Sequence, residues 1–255
     1  MNFFSYYSKI TRHKLIVFGS CILITFGYWT TALWYQNQQA YSKDLVFFHF
    51  LFGSFASSRL DLLQYYFQFA LTVFWFILVP YLITTKILNL DFQQLVWRHT
   101  NNRTAIKICL VIYPLVLAST WFSSAEPVLQ AEYPLSKLIG LSWMTFILYQ
   151  LSYFFYFFAY ESMFRGFLQF GWLSPKPGTK EIMSILFIQT LLTTLFHIGK
   201  PGTEILMAAL FGPVFGYVSI RFNSIWYGML IHYLMNVFMD TFILHRLHIL
   251  PHSFF

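Results

Sequence analysis

Glu161, Arg165, His197, His232 and Asn236 lie within, or at the ends of, strongly hydrophobic segments. Ionisable groups are costly at bilayer depth, so a set of them there is by default a functional-site hypothesis. A carboxylate, two imidazoles and a carboxamide on three helices are the groups needed to activate water and to stabilise an oxyanion. Glu161 and Arg165 are four residues apart and share a helix face. One reading of the two is an intrahelical ion pair that lowers the cost of both charges. The other is a general base with a cation that holds it in place. A guanidinium stays charged, so Arg165 is expected to support Glu161 rather than act as a base. His232 and Asn236 are also four apart, and Asp240 continues their stripe towards the mouth of its span. Both an imidazole and a carboxamide can donate to a developing oxyanion. His197 closes another apolar segment, just before the polar turn Gly199-Lys200-Pro201-Gly202.

Two histidines and a glutamate match a catalytic zinc set by residue type. No H-E-x-x-H is present, and the donors come from three separate segments. No cofactor is therefore expected, although the donor types would suit zinc. Cys21 and Cys109 both sit in apolar segments with no histidine close in sequence. That excludes a disulfide framework and a zinc–thiolate centre from the expectations.

The elements that must position these residues are membrane helices. The chain has 255 residues, 58% of them hydrophobic and 10% charged, against about 25% charged in an ordinary globular domain. Apolar runs at 15–34, 63–85, 106–122, 138–158, 182–197, 205–220 and 225–244 read as spans. The fourth is expected to continue as a helix past Arg165 towards Trp172. A shorter run at 45–55 is too short to cross and reads as re-entrant or interfacial. The expected architecture is an all-α polytopic bundle of about seven to eight transmembrane helices. It forms one membrane domain, with generic spans over 1–136 and a catalytic core over 137–245. The first span is too long for a signal-peptide core and no A-x-A site follows it, so it reads as a retained anchor.

The net charge of +7 is spread between apolar segments, as topology determinants are, and gives no reason to expect a nucleic-acid partner. Most loop cations fall on the side of the N-terminus, which places that end in the cytoplasm. The expected setting is a bacterial inner membrane, with the lipid bilayer itself as a partner. Transport through a proton or ion relay is a further reading of the same groups, but no internal repeat supports it.

The three segments carrying these residues resemble the family of CAAX-type proteases and bacteriocin-processing enzymes, which are glutamic intramembrane endopeptidases. Its signatures E-E-x-x-x-R, F-x-x-x-H and H-x-x-x-N/D align with Tyr160-Glu161-Ser162-Met163-Phe164-Arg165, Thr193-Thr194-Leu195-Phe196-His197 and His232-Tyr233-Leu234-Met235-Asn236. The resemblance spans about residues 152–240. It departs from the family at Tyr160, which stands where the family has its first Glu, and at Thr193, which replaces the Phe of the second signature. It implies hydrolysis of a peptide bond in a membrane-associated protein or peptide. Glu161, aided by His197, would deprotonate a water, and His232 with Asn236 would stabilise the oxyanion. Tyr160 could hydrogen-bond that water, but with an ordinary pKa near 10 it is a poor base. The alternative is a catalytically silent member that acts as a membrane immunity or scaffold protein.

Overall fold

The computed structural model describes residues 3–41, 55–98, 100 and 102–254. No strand occurs among them. The principal helices are α1 (Phe3–Tyr41), α2 (Phe55–Val73), α3 (Phe92–Leu95), α4 (Arg103–Ser123), α5 (Pro127–Glu132), α6 (Trp143–Glu161), α7 (Thr179–Leu195), α8 (Gly202–Phe222) and α9 (Trp226–Arg246). The all-helical expectation is met. The short run at 45–55 lies, except for Phe55, outside the described residues.

Among the described residues, five helices are long and apolar enough to cross a membrane: Thr11–Thr31, Asp61–Ile87, Arg103–Ser123, Gly202–Phe222 and Trp226–Arg246. Helices α6 and α7 overlap the other two runs read as spans, 138–158 and 182–197, and are not among these five. Large apolar side chains point outward from α4, α7 and α8, among them Val111, Phe122, Phe187 and Leu210. A surface of that kind suits hydrocarbon, where a helix satisfies all its own backbone polar groups.

Polar caps set several helix starts. The Asn102 side chain accepts from the Thr104 and Ala105 backbone N–H groups at the start of α4. Ser142 does the same for Thr145 at the start of α6. Each satisfies donors that would otherwise be orphaned at a helix terminus. Helix α8 stops at Asn223, whose φ of 47° is left-handed, a conformation asparagine tolerates.

The fourth apolar segment does continue past Arg165, but as a π-helix over Ser162–Phe170 and not as an α-helix. Hydrogen bonds in that form run from i to i+5 and widen the helix. Every residue of the nine is buried. The chain before α4 pins this segment from outside. Trp97 Nε1 donates to Ser162 Oγ at 2.9 Å. A Cβ on Gly166 would come within 2.8 Å of the Val96 carbonyl oxygen, so only glycine allows this approach. Amide side chains then tie the π segment and α7 to α8. Gln169 Nε2 donates to the Gly216 carbonyl at 3.0 Å, and Gln189 Nε2 to the Gly212 carbonyl at 2.8 Å.

Helix α9 packs against α4 on one side and against α6 and α8 on others. Helices α4 and α8 face each other across a cavity of about 240 Å³ that α9 closes from behind.

Candidate active site

The end of α6 brings Glu161 and Arg165 to the centre of the molecule. Glu161 is fully buried, and Arg165 is only 2% exposed. Glu161 Oε2 lies 3.3 Å from Arg165 Nε. The two are not aligned for a hydrogen bond, and Nε and Nη1 of Arg165 have no hydrogen-bond partner. The attraction is therefore Coulombic, and donor capacity remains on the guanidinium.

The other carboxylate oxygen, Glu161 Oε1, lies 2.9 Å from His232 Nδ1. A carboxylate only accepts, so Nδ1 carries the proton, and in the neutral form of the ring the lone pair is on Nε2. The imidazole is set between aromatic rings, with Phe157 at 4.7 Å and Phe215 at 5.8 Å between centroids. His232 lines the cavity, whereas Glu161 does not. Glu161 thus meets the cavity through His232.

Asn236, one turn on, also lines the cavity. Its Nδ2 donates to the His232 carbonyl at 2.9 Å, which uses one of its two amide hydrogens. His197 comes to the same cavity from the end of α7. Its Nδ1 lies 2.7 Å from the Thr193 carbonyl oxygen. A carbonyl only accepts, so here too Nδ1 is the donor, and Nε2 is free to exchange a proton. Thr193, where the signature has Phe, is a small residue whose carbonyl holds His197 and whose hydroxyl neighbours that of Tyr160.

Tyr160 also lines the cavity, and its ring lies 5.9 Å from that of His232. The hydroxyl has Arg165 and Thr193 as polar neighbours, and the Arg165 guanidinium lies 5.7 Å from the ring centroid. All six residues singled out in the sequence therefore meet in one place, five on the cavity wall and Glu161 behind His232. Asp240 does not join them. It is fully buried, and its Oδ2 accepts from Gln150 Nε2 at 2.9 Å, which ties α9 to α6. Among the described residues, no group of three or more His, Cys, Asp or Glu side chains is placed to hold a metal ion.

Sequence reasoning missed Glu204 and Tyr133, which line the cavity opposite His232. Tyr133 donates to Glu204 Oε1 at 2.8 Å, and the same oxygen lies 3.8 Å from His197 Nε2. One signal was available. Glu204 follows the polar turn after His197 and opens an otherwise apolar helix, so a short turn returns it to the imidazole.

Residues 139–238 match the family model described as type II CAAX prenyl endopeptidase Rce1-like. No curated protein and no solved structure matches the chain. The matched stretch holds Glu161, Arg165, His197, His232 and Asn236, and the three signatures lie within it. Together with the five apolar helices, the match supports an integral membrane protein and an intramembrane CAAX-type protease.

Proposed function

We propose that this chain hydrolyses a peptide bond of a membrane-associated protein or peptide, using water activated by the Glu161–His232 pair. The observation that carries this reading is the 2.9 Å contact between a fully buried carboxylate and an imidazole that lines a cavity. His232 Nε2 takes a proton from water as the oxygen attacks the scissile carbonyl carbon. Glu161 fixes the tautomer and stabilises the imidazolium that forms. The carbonyl oxygen becomes an oxyanion, for which Asn236 has a spare amide hydrogen and Arg165 has unused N–H groups. Breaking the C–N bond then requires a proton on the leaving nitrogen, and His197 stands on the same cavity to provide it. Arg165 also holds Glu161 charged, and Tyr160 takes part by holding Arg165. The steps draw on side chains alone. We place the protein in a bacterial inner membrane, with its N-terminus in the cytoplasm.

The test compares N-terminal and C-terminal peptides of membrane proteins in cells carrying the wild-type, Glu161→Gln or His232→Ala chain. A cleaved terminus that disappears in both variants establishes hydrolysis and identifies the substrate. Unchanged termini, with both variants present in the membrane, would sink the reading.

One feature favours a second reading, that of a silent member acting by binding. Tyr160 replaces the first Glu of the family's signature, and its hydroxyl lies beside Arg165 and Thr193. That reading expects a co-purifying partner and a phenotype that survives His232→Ala.

A further inference from the structure

We propose that Glu204, outside all three signatures, is a positioning residue that keeps His197 charged as the proton donor to the leaving nitrogen, giving the site two carboxylate–imidazole pairs. This inference rests on the peptidase reading.

Glu204 sits in the first turn of α8. A glutamate there ordinarily complements the helix dipole from the surface. This one is turned inward. Oε1 accepts from Tyr133 at 2.8 Å and lies 3.8 Å from His197 Nε2, while Oε2 is buried with no hydrogen-bond partner. Glu204, Tyr133 and His197 line the same cavity as His232, Tyr160 and Arg165. Lys200, the nearest ammonium, is ion-paired with Glu132 and lies 5.6 Å from the Tyr133 ring. The His197 ring is held at Nδ1 by the Thr193 carbonyl, so its exchangeable proton is at Nε2, on the side of Glu204. A separation of 3.8 Å suits an ion pair that tightens when substrate excludes water.

The chemistry calls for such a pair. Hydrolysis must remove a proton from water and deliver one to the leaving nitrogen. With Tyr160 in place of a glutamate, the signatures supply one carboxylate, and Glu204 supplies a second from another helix. The step requires that, before attack, His232 is neutral and His197 is protonated beside the Glu204 carboxylate. His232 Nε2 takes the water proton, the oxygen bonds to the carbonyl carbon, and the C–N bond breaks. The proton on His197 Nε2 passes to the nitrogen. The products are an acid and an amine; His232 then loses its proton to solvent and His197 regains one. The charge of Glu204 is constant throughout.

The experiment uses the full chain in membranes and the cleaved terminus found above, followed over time across pH. The groups facing Glu204 and His197 are Tyr133, Lys200 with Glu132, His232 and Arg165. Across the cavity, α4 presents the uncharged Ser119, Thr120 and Ser123. An opposite charge favours the protonated imidazole, so losing it moves the alkaline limb of the rate profile to lower pH. We expect Glu204→Gln to lower kcat by about 10² or more with little change in KM, and to shift that limb downward by about one pH unit. Glu204→Asp keeps the charge but retracts it, and should give a smaller loss and a smaller shift. Adding Glu204→Gln to His197→Gln should cost nothing further, since residues that act as a unit are not additive. Wild-type kcat and an unmoved alkaline limb in both Glu204→Asp and Glu204→Gln, while His232→Ala still abolishes cleavage, overturn the role of Glu204 alone. Cleavage that survives His232→Ala and Glu161→Gln overturns both readings.

Discussion

Neutralising Glu161 leaves the Arg165 guanidinium almost fully buried beside a group that no longer opposes its charge. Breaking a buried pair in this way costs about 3–5 kcal/mol. Glu161→Gln should therefore lower thermal stability in detergent as well as abolish hydrolysis, whereas Glu161→Gln with Arg165→Met should recover most of the stability and none of the activity. If the double variant is as unstable as the single one, the Coulombic account of the pair is wrong. Asn236 is the opposite case. Its Nδ2 bonds only a carbonyl of its own helix, so Asn236→Leu should leave the unfolding temperature nearly unchanged. As an oxyanion donor it should still cost about 10²–10³ in kcat, which a time course of the cleaved terminus would show. The sequence made the chemical types and their i, i+4 spacing legible. It did not show that Glu161 reaches the cavity through His232, because which carboxylate oxygen meets which ring nitrogen depends on how α6 and α9 are rotated against each other. Glu204 was hidden for a related reason, since its partners Tyr133 and His197 come from other elements.

Helix existence was legible for the long apolar runs, and their pattern could not distinguish an α from a π continuation after Glu161. Both give a buried apolar segment, and the choice depends on what packs outside it. Here the constraint is the close approach of Val96 to Gly166 and the bond from Trp97 to Ser162. A methyl on Gly166 would press on backbone, which cannot rotate away as a side chain would. Gly166→Ala should thus cost about 1–3 kcal/mol by overpacking, seen as a lower unfolding temperature. It should also weaken hydrolysis, because the same segment carries Arg165. In the first turn of α7, Glu181 accepts from Lys14 of α1 and from the Ser174 backbone and hydroxyl. Burial pushes the Glu181 carboxyl up, but the bonds from Lys14 and Ser174 outweigh it and hold the group below the usual carboxylate range. A lowered folded-state pKa contributes stability that is present above the unfolded value, about 4.3, and lost as pH falls through the folded one. Acid should therefore loosen the contact between α1 and α7, and Glu181→Gln should remove that part of the acid sensitivity. Unfolding temperatures of both chains between neutral and acidic pH would test this.

At the scale of the molecule, the cavity is continuous from the polar groups of His197, His232 and Asn236 to apolar side chains of α4 and α8 such as Ile112, Val116, Met207 and Phe211. Both helices also turn large apolar residues outward, including Leu115 on α4 and Leu210 on α8. A peptide embedded in the bilayer can therefore keep its apolar part in contact with hydrocarbon-like surface while its scissile bond approaches the imidazoles. Entry from the lipid side avoids dragging an apolar segment through water, where each buried CH₂ re-exposed costs about 0.8 kcal/mol. This route depends on the space between α4 and α8 rather than on any one charge. Ala208 lines that space part-way along α8. Ala208→Trp should obstruct the groove, raise KM for the cleaved membrane protein about 10-fold, and leave the unfolding temperature close to that of the parent, since the added ring fills a cavity and does not compress a packed core. An unchanged KM with the ring in place would mean that the substrate reaches His232 by another path, and that the apolar face of α4 serves the lipid alone.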